Sequence, residues 1–238
     1  MCTLVVAFRR VKDAPLVVAA NRDEMLDRAA EGPHRWPGEP FFAPRDLVAG
    51  GTWLGLTDGG MFVGVTNRFG VAKDPARASR GALVVDALRA KSARALHASL
   101  ATLSPDRYNA FHLLYADHDA AFVTWSDGAR VHQDELAPGV HVVTERSLGG
   151  DDAGRTEAVL AMWQTLGVAS VDEAALEAMM RIHGKTSPIA GTCVHVPELG
   201  YGTRSSMILV VRESGKKMLW TEGNPCATAY VEQDLTRR

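Results

Sequence analysis

Apolar residues follow two different rhythms along this chain. Thr3 to Phe8 is a continuous apolar run rich in β-branched side chains, and Leu16 to Ala20 is a second. Unbroken runs of this length predict strands covered on both faces, because a half-solvated strand would alternate. Lys12-Asp13-Ala14-Pro15 supplies turn chemistry between them. Gly32 to Pro44 carries four prolines and reads as an ordered loop. Trp53 to Thr57 and Met61 to Thr66 predict a hairpin around Asp58-Gly59-Gly60. At Ser79 the period changes. From Gly81 to Leu103 the apolar positions Leu83, Val84, Leu88, Ala95, Leu96, Leu100 and Leu103 recur at helical spacing. Ser104-Pro105-Asp106 begins a further short helical turn. Phe111 to Tyr115 and Ala121 to Trp125 predict a second hairpin, and His141 to Thr144 a short strand. Asp151 to Gly167 and Val171 to His183 predict two amphipathic helices, with Gly167 stopping the first. Met207 to Val211, Met218 to Thr221 and a strand near Ala227 to Val231 close the chain.

Strands and helices therefore come in blocks. Tight turns between neighbouring strands demand antiparallel pairing, and segregated blocks define an α+β fold with helices packed on sheet faces. Strands covered on both sides imply at least three layers. No repeat or low-complexity linker divides residues 1–238, which predicts a single domain.

Composition narrows the function classes. With 26 basic and 28 acidic side chains the formal net charge is -2, which leaves no excess to neutralise phosphates, so no nucleic-acid partner is expected. No apolar run approaches the roughly 18 residues that span a bilayer, so no stable membrane insertion is expected. The first charges, Arg9 and Arg10, follow the first apolar run, the reverse of a secretory signal. The expectation is a cytoplasmic protein. Cysteines stand at positions 2, 193 and 226. An odd count with no Cys-x-x-Cys pair argues against a disulfide framework, a zinc ribbon or a redox motif, and no cofactor or metal is expected.

Cys2 carries the most chemistry. Removal of Met1 would leave a thiol nucleophile and an α-amine on one residue. The amine, with an ordinary pKa of about 7.7–8.0, can act as general base near neutral pH. Without a surrounding site the same residue is a polar lead-in to a strand. Asn21-Arg22-Asp23-Glu24 follows the apolar run Leu16 to Ala20. If that strand pairs antiparallel with Thr3 to Phe8, its far end returns to Cys2. Asp23 could then hold the α-amine, and Asn21 or Arg22 could orient a substrate; the plain alternative is a helix cap and a solvated charge cluster. Asn67 closes the strand Met61 to Thr66, where an amide can stabilise an oxyanion or simply form a turn. Arg204, in Gly200-Tyr201-Gly202-Thr203-Arg204-Ser205-Ser206, could bind a carboxylate or pair with a structural acid. Cys193 and His195 fall on one side of a strand, where they could hold a soft metal; the favoured reading is a packed cysteine beside a hydrogen-bonded histidine.

These residues coincide with a known pattern. Met1-Cys2-Thr3, the Asn21-Arg22-Asp23-Glu24 tetrad, Trp36, Arg45-Asp46, Gly50-Gly51-Thr52-Trp53-Leu54-Gly55, Thr66-Asn67, Ser79-Arg80-Gly81 and Tyr201 to Ser206 resemble the NRDE-motif family, also called the transport and Golgi organisation family. That family in turn resembles the N-terminal-nucleophile hydrolases of the bile-salt hydrolase and penicillin V acylase type. The resemblance implies a four-layer αββα sandwich of two antiparallel sheets. It implies cleavage of a linear amide in a small or acylated molecule, with Cys2 as nucleophile, Asp23 as the acid that holds it, and Asn67 as oxyanion amide. Asn21, Arg22 and Arg204 would bind or orient the substrate. The chain departs from the acylases at Ala20, where they carry an arginine, and at Thr144-Glu145, where an oxyanion asparagine is expected. The alternative is a protein that binds haem, acyl-CoA or lipid on the same fold without turnover.

Overall fold

A computed structural model describes residues 2–148, 153–166, 170–185 and 187–236. In chain order the chain opens with β1 (Cys2–Val11), β2 (Ala14–Met25), β3 (Ala30–Arg35) and β4 (Phe41–Asp46). It continues through β5 (Leu54–Thr57), β6 (Phe62–Asn67), α1 (Arg80–Leu88) and α2 (Ala93–Leu100). Then come β7 (Phe111–Ala116), β8 (Ala121–Ser126), β9 (Val131–Glu135) and β10 (Gly139–Val143). The remainder is α3 (Ala153–Thr165), α4 (Glu173–Met180), β11 (His195–Val196), β12 (Tyr201–Arg212), β13 (Gly215–Glu222) and β14 (Val231–Glu232). The architecture is α+β, with every strand-to-strand pairing within its two sheets antiparallel.

The chain divides into two compact units, each with its own sheet and helices. The first comprises residues 1–28, 138–143 and 151–234. Its sheet runs β10-β1-β2-β12-β13-β14, with β11 added on β12. Val5, Ala7, Val17, Ala19, Ile208 and Val210 meet Val159 and Trp163 of α3 and Leu176, Met179 and Met180 of α4. Leu4, Val6, Leu16 and Val18 are buried as well, so β1 and β2 are covered on both faces as their unbroken apolar runs require.

The second unit comprises residues 29–137, 144–150 and 235–238. Its sheet is a meander, β3-β4-β5-β6-β7-β8-β9, each strand paired with the next. Leu83, Val84 and Leu88 of α1 and Leu96 and Leu100 of α2 pack on Phe41, Met61, Val63, Leu113 and Phe122. Gly51 and Gly81 allow the turn before β5 to touch the start of α1. A Cβ on Gly51 would lie 2.5 Å from the Gly81 carbonyl carbon, and Thr52 N donates to Gly81 O at 3.3 Å. Two glycine-bearing sequence blocks thus form one contact.

Several boundaries differ from expectation. The proline-rich stretch is not a loop: β3 and β4 occupy most of it. Pro33 sits at a bulge between Glu31 and His34, and β3 is the edge of its sheet, where a missing N–H costs no ladder bond. The periodic segment Gly81 to Leu103 is two helices, because Ser92 caps a new start by accepting from Ala95 N at 3.2 Å. Ser104-Pro105-Asp106 makes a single turn, with Arg107 N donating to Ser104 O at 3.2 Å. The last strand shrinks to Val231–Glu232. Asp151, Asp152 and the proposed stop Gly167 lie outside the described residues. Among the described residues no helix is long and apolar enough to cross a membrane.

Candidate active site

The register of the β1–β2 hairpin places Cys2 opposite Arg22, Thr3 opposite Asn21 and Leu4 opposite Ala20. Residues directly opposite in an antiparallel pair share a face. β12 extends the row, with Ser205 opposite Arg22, and β13 adds Glu222 opposite Ser205. A thiol, a guanidinium and a hydroxyl therefore stand side by side. Arg22 and Ser205 are buried and Cys2 half-buried. Among the described residues the Ser205 hydroxyl has no hydrogen-bond partner.

The neighbouring row points to the helix-bearing face. Asn21 Nδ2 donates to Met180 O at 2.9 Å and to Thr192 O at 2.7 Å. Arg155 of α3 donates to Thr3 Oγ1 at 3.0 Å. Asn21 thus ties the end of α4 to the segment before β11, on the face away from Cys2.

Asp23 is held by β12. It lies opposite Thr203, and a bulge between Thr203 and Ser205 accommodates Arg204. Thr203 Oγ1 donates to Asp23 Oδ1 at 2.6 Å and accepts from Val194 N at 2.8 Å. Tyr201 OH donates to the Asp23 carbonyl at 3.0 Å. Thr203 and Tyr201 are functional neighbours that the sequence reading passes over in favour of Arg204. Their alternate positions at the start of a strand beside an acid-bearing strand were the available signal.

Arg204 is committed elsewhere. Its Nη1 donates to the carbonyl oxygens of Leu26 and Arg28, the second at 2.8 Å. Its Nη2 lies 3.9 Å from the Glu222 carboxylate. The side chain straps the chain leaving β2 onto β12.

Burial pushes the Cys2 thiol above its ordinary pKa. The positive amino terminus opposes this, the Asp23 charge adds to it, and the Arg22 charge and a hydrogen bond from the Asp23 backbone favour the thiolate.

In the second unit Asn67 ends β6, half-buried, and its side-chain amide makes no hydrogen bond among the described residues. Beside it runs a proton-ordered chain. Arg68 Nη1, which can only donate, lies 2.8 Å from His112 Nε2, so that nitrogen is the acceptor and Nδ1 carries the hydrogen. Nδ1 then donates to Thr66 Oγ1 at 3.1 Å, and Thr66 donates to Thr144 O at 3.2 Å. Burial, reinforced by the Arg68 charge, lowers His112 to about 4 and keeps it neutral. Glu145 is buried just after Thr144, and its carbonyl accepts from Phe69 N at 2.8 Å.

The family model described as Transport and Golgi organisation 2 matches residues 1–224. The Transport and Golgi organization protein 2 homolog of Bos taurus is 29% identical, over 84% of this chain and 83% of its own. That of Homo sapiens is 26% identical, with 84% and 83% covered. Among solved structures, the Caenorhabditis elegans ortholog of N-acylethanolamine-hydrolyzing acid amidase matches with a TM-score of 0.57 at 14% identity, over 88% of this chain and 92% of its own. A mutant of conjugated bile acid hydrolase from Clostridium perfringens matches with a TM-score of 0.51 at 7% identity, over 98% and 97%. At such identities the likeness speaks for the fold, which is that of the N-terminal-nucleophile hydrolases. By the family match over nearly its whole length, the chain belongs to the Transport and Golgi organisation 2 family.

Proposed function

We propose that this protein is an N-terminal-cysteine hydrolase that cleaves a linear amide bond in a small or acylated molecule. The observation that carries the reading is the row on β1, β2 and β12, where Cys2 faces Arg22 with the Asp23 backbone at its thiol. Removal of Met1 places the α-amine on Cys2 itself. The amine then takes the thiol proton as the sulfur attacks the carbonyl carbon, and returns it to the departing amine. The acyl thioester left on Cys2 is hydrolysed by a water that the same amine activates. Arg22 favours the thiolate and Asp23 positions the cysteine. The oxyanion role of Asn67 rests on the family resemblance alone, and Asn67→Ala, expected to cost roughly 10²–10³ in rate, is its test. In this reading Asn21 and Arg204 hold the frame, since their polar groups are spent on backbone carbonyls. Glu145 stands where an oxyanion amide is expected, and Glu145→Asn is the substitution that would add one.

The test begins with the intact mass of the protein before and after mild iodoacetamide at neutral pH. Loss of one methionine and a fast alkylation that peptide mapping places on Cys2 rather than on the exposed Cys226, absent in Cys2→Ala, are the expected results. N-acylethanolamines and conjugated bile acids, which the names of two similar solved structures mention, form the first substrate panel. A retained methionine with an inert Cys2 would sink the hydrolase reading. Burial that raises the Cys2 thiol works against nucleophilic attack. The competing reading is a binder of acyl-CoA, lipid or haem, for which saturable binding retained in Cys2→Ala with no turnover is the test.

A further inference from the structure

Three separate segments of the first unit converge behind Asp23. His183 follows α4, Cys193 and His195 flank Val194 at the start of β11, and Cys226 lies in the turn after β13. One ligand atom from each of these four residues lies within 4.8 Å of all the others. His195 Nε2 is 3.4 Å from Cys193 Sγ and 3.2 Å from Cys226 Sγ. A tetrahedral ion with bonds of about 2.0–2.3 Å has ligand-to-ligand edges of about 3.3–3.8 Å, so two edges already stand close to those of a bound tetrahedron. The His183 and His195 rings lie 5.0 Å apart at 57°. Cys193 is buried, whereas Cys226 and His183 are exposed. A cavity of 240 Å³ lined by His183, Lys185, Pro188 and His195 gives an entry path.

We propose that His183, Cys193, His195 and Cys226 form a tetrahedral site for a soft cation, zinc by its donor set, with a structural role. Two thiolates and two imidazoles select zinc over oxygen-seeking magnesium, calcium or manganese. Four protein ligands close the coordination sphere, which is the mark of a structural site. The ion would clasp the end of α4, the lead into β11 and the β13–β14 turn. It would also fix Val194, whose N–H supports the Thr203 hydroxyl that holds Asp23. No single stretch of sequence shows this set, because Cys226 lies 31 residues from His195.

The test uses the full chain, stripped with a chelator, kept reduced, and titrated with cobalt(II) and then zinc. One equivalent of cobalt should produce the visible ligand-field bands of tetrahedral coordination together with thiolate-to-cobalt charge transfer. Zinc should bleach both and raise the melting temperature. Cys226→Ser and His183→Ala alter exposed side chains and should fold. Each should weaken binding by more than the roughly 10–100-fold that losing an outer-shell partner costs. Cys2→Ala should leave the spectrum intact, which separates this site from the proposed nucleophile. Octahedral or absent cobalt spectra with all thiols titratable would overturn the proposal. So would air oxidation to a Cys193–Cys226 disulfide in protein that takes up no metal when reduced.

Discussion

Thr203→Val keeps the shape of the side chain and removes only its hydroxyl. In the native protein that hydroxyl donates to Asp23 Oδ1 at 2.6 Å and accepts from Val194 N at 2.8 Å. Thr203 is 0% exposed, so water has no direct route to either orphaned group. A hydrogen bond to a charged group contributes about 1.5–3 kcal/mol, and stranding a buried N–H costs about 1–3 kcal/mol. The variant should therefore lose about 3 kcal/mol or more of stability. With a urea dependence of about 3 kcal/mol per molar, the unfolding midpoint should fall by about 1 M. Thr203→Ser should recover most of the loss, conceding only a methyl group. Combining Thr203→Val with Asp23→Ala isolates the pair, and a coupling of about 1.5–3 kcal/mol is expected between them. A midpoint for Thr203→Val indistinguishable from the parent, or a coupling below about 0.5 kcal/mol, would refute the claim that this hydroxyl fixes Asp23.

Gly51→Ala should destabilise the protein by about 2 kcal/mol or more, because its new Cβ would meet the Gly81 backbone at 2.5 Å and neither chain is a flexible side-chain end; urea unfolding of the variant checks this. His112, lowered from 6.5 to about 4 by burial and then by Arg68, is neutral in the folded protein while the unfolded chain binds a proton below 6.5. Its contribution is therefore fully present above about 6.5 and is lost as pH falls towards 4, to the extent of about 3 kcal/mol. His112→Gln should flatten the stability profile across that window by this amount, and equal slopes in both proteins would contradict it.

Local order was legible where chemistry and period agreed. The apolar runs of β1 and β2 and the turn residues between them specify a hairpin, and counting back along it brings Arg22 to Cys2. β3 was hidden by Pro33 and the prolines that follow it, although an edge strand tolerates one. β9 was hidden because Val131–Glu135 is largely polar and earns its place through backbone bonds to β8. The break at Ser92 was masked because both helices lay apolar faces on one sheet, so the period runs on across the gap. At the candidate site the charged residues announced themselves, but the hydroxyl that holds Asp23 lies 180 residues away in sequence. Such a partner is visible only once β12 is known to lie beside β2. The contact between Gly51 and Gly81 explains two short sequence blocks by one steric fact.

The insertion of β12 between β2 and β13 also fixes an order of events during synthesis. The meander β3 to β9 consists of neighbours in sequence, so it can close strand by strand as the chain emerges. The β1–β2 hairpin is made first, yet its open edge must wait for β12, whose Val211 pairs with Leu16. Until then neither the Cys2–Arg22–Ser205 row nor the Thr203 support of Asp23 exists. The amino end therefore lacks its β12 neighbours until most of the chain has been made.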